Sequence, residues 1–81
     1  MIEQERMKLG SKEYIIFTWQ SSKWHGLFSI VGEEGYYPLV DETKEPGKVV
    51  DGCRAVPILM FDTSEETVEV VKEYIVNYPR P

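Results

Sequence analysis

A chain of 81 residues can build one hydrophobic core and no more, since at this size only about 60–65% of the unfolded surface is buried on folding. A hydrophobic fraction of 42% and a charged fraction of 28%, with two Trp, five Tyr and three Phe, exclude wholesale disorder. Nine basic against fourteen acidic residues give a net charge of −5, which disfavours non-specific binding to nucleic acid or anionic membranes and suits a basic partner better.

Residues 1–12 are polar and mixed in charge, ending at Gly10-Ser11. They read as an N-terminal arm whose form is open between a helical turn, an extra edge strand and a loose segment. Residues 13–81 read as a single α+β domain. The β-branched and aromatic run Tyr14-Ile15-Ile16-Phe17-Thr18-Trp19 predicts a first strand over 13–20, with Ile15, Phe17 and Trp19 on one face and Tyr14, Ile16 and Thr18 on the other. Ser21-Ser22-Lys23 has turn chemistry, and 24–31 predicts a second strand that alternates Trp24, Gly26, Phe28 and Ile30 against His25, Leu27, Ser29 and Val31.

The glycines of Gly32-Glu33-Glu34-Gly35 permit a second turn, and 36–40 predicts a third strand whose Pro38 cannot donate to a ladder and so belongs at a sheet edge. The stretch 41–52, with its Pro46-Gly47 and Asp51-Gly52 turns, is the longest connection. A fourth strand is expected over 54–61, with Pro57 placing it at an edge as well. Two proline-bearing edges suggest the strand order 3-2-1-4 for an antiparallel meander of three to four strands.

A helix is predicted over 64–77. Thr63 as N-cap and Glu66 three residues later form a capping box, and Tyr78 before Pro79 marks the stop. Val68, Val71, Ile75 and Tyr78 form its apolar stripe, flanked by Val70 and Tyr74, while Glu65, Glu66, Glu69, Lys72 and Glu73 stay in water.

Chemistry-bearing residues are sparse. His25 is the only histidine and has no second histidine or cysteine at ligand spacing, so a structural or surface role is expected over zinc binding. Cys53 is the only cysteine; it precludes an internal disulfide and fits a reducing, cytoplasmic setting. A nucleophilic pairing of Cys53 with His25, helped by Arg54, is conceivable in principle, yet a free cysteine behaves most often as a small buried hydrophobe. No phosphate-loop, dinucleotide, EF-hand or nucleophile-elbow spacing occurs, so neither catalysis nor a cofactor is expected. Residues 1–8 lack an apolar leader, and no run approaches the length of a membrane span.

One helix of about 21 Å, at 1.5 Å per residue, covers only one side of a four-stranded sheet. The expectation is therefore a small acidic interaction or regulatory module, self-associating or bound to a protein partner. Its surface would be the uncovered face, on which Tyr14 and Ile16 are expected with Leu27 and Val31, together with Trp24, Tyr36 and Tyr37, or the acidic helix (Glu66, Glu69 and Glu73). The alternatives are single-stranded nucleic-acid binding through Trp19, Trp24, Tyr36 and Tyr37 with Lys12, Lys23 and Arg54, or a small Cys/His enzyme.

Overall fold

A computed structural model describes residues 2–39, 47–50 and 59–78. The chain is α+β: a four-stranded antiparallel sheet in the order β1-β2-β3-β4, with one C-terminal helix against one face. The strands are β1 (Ile2–Leu9), β2 (Lys12–Ser21), β3 (Lys23–Ile30) and the short β4 (Tyr37–Pro38), and the helix is α1 (Ser64–Asn77).

The N-terminal segment is an edge strand, the second of the three forms its composition allows. It pairs along its whole length with β2, from Ile2 opposite Trp19 to Leu9 opposite Lys12. Gly10 takes a φ of 64° in the tight turn between them, a conformation open to glycine without steric conflict. This strand corrects the placement of the fourth strand. The position beside β2 belongs to β1, and residues 59–61 lie on the opposite side, where Phe61 forms an antiparallel bridge with Trp24 of β3. Residues 54–58 lie outside the described residues. The physical reason is locality: a hairpin closed by Gly10-Ser11 is reached with far less loop entropy than a return from residue 61.

The β2–β3 hairpin turns on Ser22 alone, whose φ of 67° is unusual for a residue with a side chain. Ser21 faces Lys23 and the register runs on to Tyr14 opposite Ile30, so Tyr14, Ile16 and Thr18 share a face with Gly26, Phe28 and Ile30. α1 packs on this face. Tyr14, Ile16, Phe28, Ile30, Tyr37 and Leu39 meet Val71, Tyr74 and Ile75 of the helix in one core. Burying an aliphatic or aromatic side chain of this kind stabilises the fold by roughly 1.5–3 kcal/mol. Phe28 stacks on Tyr37 at 4.8 Å between ring centroids and meets Tyr14 edge-on at 6.0 Å.

The helix starts as its sequence implies. Glu66 N donates to Thr63 Oγ1 at 3.1 Å, while the Glu66 carboxylate accepts from Asp62 N at 3.4 Å, one residue before the N-cap. Of the apolar stripe, Val71 and Ile75 are buried, Val68 and Tyr78 half-buried, and Tyr74 lies deeper than a flanking position. Thr67 is also fully buried, its Oγ1 donating to Thr63 O at 2.8 Å. At the far end Tyr78 N donates to Tyr74 O, and Lys72 pairs with Glu5, tying the helix to β1. The proline-bearing strand does lie at the end of the sheet, with Pro38 opposite Leu27.

Candidate functional site

The β1–β2 and β2–β3 registers place Ile2, Gln4, Arg6 and Lys8 with Glu13, Ile15, Phe17 and Trp19, and with His25, Leu27 and Ser29, on the face away from α1. This open face is apolar at one end and charged at the other. Toward the charged end Arg6 Nη1 donates to Glu13 Oε2 at 3.0 Å. At the apolar end lies a shallow groove of about 600 Å³. Phe17, Trp19, Leu27 and Tyr36 line it with Ile2 and Gly35, and Gln20 and Ser29 supply its polar side chains. Among the described residues no charged side chain lines it.

Gly35 holds this lining in place. Its φ is 90°, and a Cβ there would stand 2.4 Å from the carbonyl oxygen of Val49, so the backbone of 47–50 runs close beside it. Tyr36 and Val49 exchange two backbone hydrogen bonds of 3.0 and 2.8 Å, which fix the Tyr36 backbone at the groove. Beside the groove, His25 stacks on Trp19 with ring centroids 5.7 Å apart and planes 28° from parallel. Its Nδ1 is enclosed and has no hydrogen-bond partner among the described residues.

The residues expected to form an interaction surface are scattered by this arrangement. Tyr36 lines the groove. Tyr14 and Ile16 are each 1% exposed beneath α1 and Tyr37 is buried against Phe28, so they form the core and not an uncovered face. The cause is register: pairing about Ser22 joins Tyr14 and Ile16 to Phe28 and Ile30, and places Leu27 with Phe17 on the far side. Trp24 lies outside the groove and carries the backbone bridge to Phe61. Glu66, Glu69 and Glu73 are exposed on the helix, Glu66 being engaged in the cap. Leu27, expected beside Tyr14 and Ile16, lies instead with Phe17 on the face away from α1, and Phe17, Gln20 and Ser29 join the groove without a signal of their own as an interaction surface. The alternation of β2 already put Phe17 beside Trp19, but only the hairpin register joins them to Leu27 and Ser29.

The cations are mostly engaged. Among the described residues Arg6, Lys12, Lys23, Lys48 and Lys72 each pair with a carboxylate, and Lys8 alone has no ion pair. Glu33 accepts from Lys12 at 2.9 Å and from Lys48 at 3.3 Å, and these two bonds, Lys12 first, hold its carboxyl below the usual range. Lys23 donates to Asp62 at 2.6 Å, which raises the lysine and lowers the aspartate. Cys53 and Arg54, invoked for a nucleophilic pair with His25, lie outside the described residues. Among the described residues no group of three or more His, Cys, Asp or Glu is arranged to hold a metal ion, and no helix is long and apolar enough to cross a membrane. No protein-family model, curated protein or solved structure matches the chain.

Proposed function

We propose that this chain is a small, non-enzymatic cytoplasmic interaction module that engages a protein partner through its open sheet face. The observation that carries this reading is the composition of the groove: among the described residues it is lined by aromatic and aliphatic side chains with two polar ones and no charge, in a chain of which 28% is charged. A concave apolar patch with convergent polar groups and a charged surround has the anatomy of a binding surface, whereas scattered apolar side chains do not.

Nucleic acid is a weaker occupant. Of the four aromatic residues that would form a stacking platform, only Trp19 and Tyr36 line the groove, while Tyr37 is core and Trp24 lies elsewhere. Lys12 and Lys23, the cations of that reading among the described residues, already hold carboxylates, leaving little to neutralise a phosphate backbone.

A photo-crosslinking amino acid placed at Leu27 or at Glu73 in cells of the native host tests the assignment. Defined protein adducts from position 27 and none from position 73 are expected. Adducts from position 73 alone would move the interface to the acidic helix, and an absence of adducts at both would overturn the proposal.

A further inference from the structure

Among the described residues the first half of β1 is attached to the domain by backbone pairing and little else. Ile2, Glu3, Gln4, Glu5 and Arg6 are exposed, and only Met7 and Leu9, in the second half, pack against the core. Glu3 and Glu5 border a hollow of about 350 Å³ with Ser64, Glu65, Val68 and Lys72, so three carboxylates share one lysine where β1 passes the start of α1. The ion pairs of this half, Glu5 with Lys72 and Arg6 with Glu13, stand open to water, where such pairs hold weakly and are screened by salt.

The strand it covers has the opposite character. Facing Arg6 back to Ile2 are Ile15, Ile16, Phe17, Thr18 and Trp19, a run of high β-propensity with no charge, glycine or proline, which is the composition that pairs readily with another strand when its edge is bare. We infer that residues 2–6 are a releasable guard on this edge: they detach about Met7 while the rest of the domain stays folded, and the bared β2 edge then pairs antiparallel with the same edge of a second copy. Charge selects that pairing over one between intact β1 edges. A two-fold axis normal to the sheet joins residues of the same face, so two β1 strands centred on Glu5 or Arg6 oppose like charges. Two β2 strands centred on Phe17 oppose Ile15 with Trp19 and Ile16 with Thr18, none of them charged.

Neighbouring amides of β2 report separately on its two sides. Val31 N donates to Glu13 O, so the odd residues of β2 turn their backbone toward β3 and the even ones toward β1. Hydrogen exchange read by NMR on the full-length, isotope-labelled chain should show Ile16 and Thr18 amides protected at least about tenfold less than those of Ile15 and Phe17, a gap that widens in added salt. Glu5 stands opposite Ile16, and Glu5→Pro takes a donor from β1 without touching the core. This variant should keep its far-UV circular dichroism, lose further protection at Ile16 and Thr18, and form a dimer by light scattering. Adding Phe17→Lys, which sets two like charges opposite each other in the β2 pairing, should restore the monomer.

Equal protection of the four amides in the native chain would overturn the inference whether or not the variants fold. Loss of the native fold in Glu5→Pro would do so too, since the core would then depend on residues 2–6. A Glu5→Pro chain that stays monomeric at high micromolar concentration, or that dimerises equally with Phe17→Lys, would remove the β2 edge as the contact.

Discussion

Gly26 lies close against Thr67 of the helix: a Cβ on residue 26 would stand 2.7 Å from Thr67 Cγ2 and 3.0 Å from Val71 Cγ2. Thr67 cannot move aside easily, because it is fully buried and its hydroxyl is bonded to Thr63 O. The missing side chain at residue 26 thus lets α1 settle on this face. Gly26→Ala should cost about 1–3 kcal/mol by overpacking, lowering Tm by roughly 4–8 °C per kcal/mol in a domain of this size. Thr67→Ser removes the methyl and keeps the hydroxyl, so combining it with Gly26→Ala should recover part of the loss. A double-mutant cycle in urea showing simple additivity would place the strain elsewhere.

Adjacent residues of β2 should behave in opposite ways. Ile16 is 1% exposed beneath the helix, whereas Phe17 is half-buried on the open face. Ile16→Lys buries an unpaired charge and should destabilise by more than about 4 kcal/mol, leaving the chain largely unfolded at 37 °C. Phe17→Lys should cost about 1 kcal/mol and retain the native far-UV circular dichroism. Comparable losses in the two variants would contradict the face assignment.

Ser22 at φ 67° carries the whole β2–β3 turn. Left-handed backbone costs a residue with a Cβ roughly 1–2 kcal/mol, and least when the side chain is short and polar, as in asparagine. Ser22→Asn should leave stability unchanged or raise it slightly, and Ser22→Val should lower it by about 1–2 kcal/mol. Equal midpoints for the two in thermal melts would argue that the turn has another conformation.

Glu33 between Lys12 and Lys48 predicts a pH-dependent contribution. Its carboxyl is lowered in the folded chain, so the stabilisation is complete above the ordinary carboxylate range and is lost as pH falls through the lowered value. The gap in stability between the native chain and Glu33→Gln should therefore be widest near neutral pH in low salt. It should close on acidification and shrink on adding salt, since the three groups lie near the surface. A gap that widens on acidification would reverse the sign of the linkage.

The local signals in the sequence were strong where the physics is local. The Thr63 cap, the span Ser64–Asn77, the turn at Ser22 and the edge position of Pro38 all rest on interactions within a few residues, and all were readable from residue type and spacing. The polar, charged pattern of β1 carried no comparable signal. Glu3, Gln4, Glu5, Arg6 and Lys8 form a strand because the sheet edge beside β2 accepts their backbone, not because their side chains favour it.

The choice of face was beyond the reach of spacing alone. Alternation divides β2 and β3 into two sets each, and both sets of β2 hold large apolar residues, so pattern does not say which sets join or which lies beneath the helix. The one-residue turn at Ser22 joins them, and the space above Gly26 chooses the side, placing Tyr14 and Ile16 in the core and Phe17, Trp19 and Leu27 in the groove. Composition and local propensity thus determined β2, β3 and the helix with its ends. Register and close packing, which depend on contacts between residues distant in the chain, decided which surface remains open for a partner.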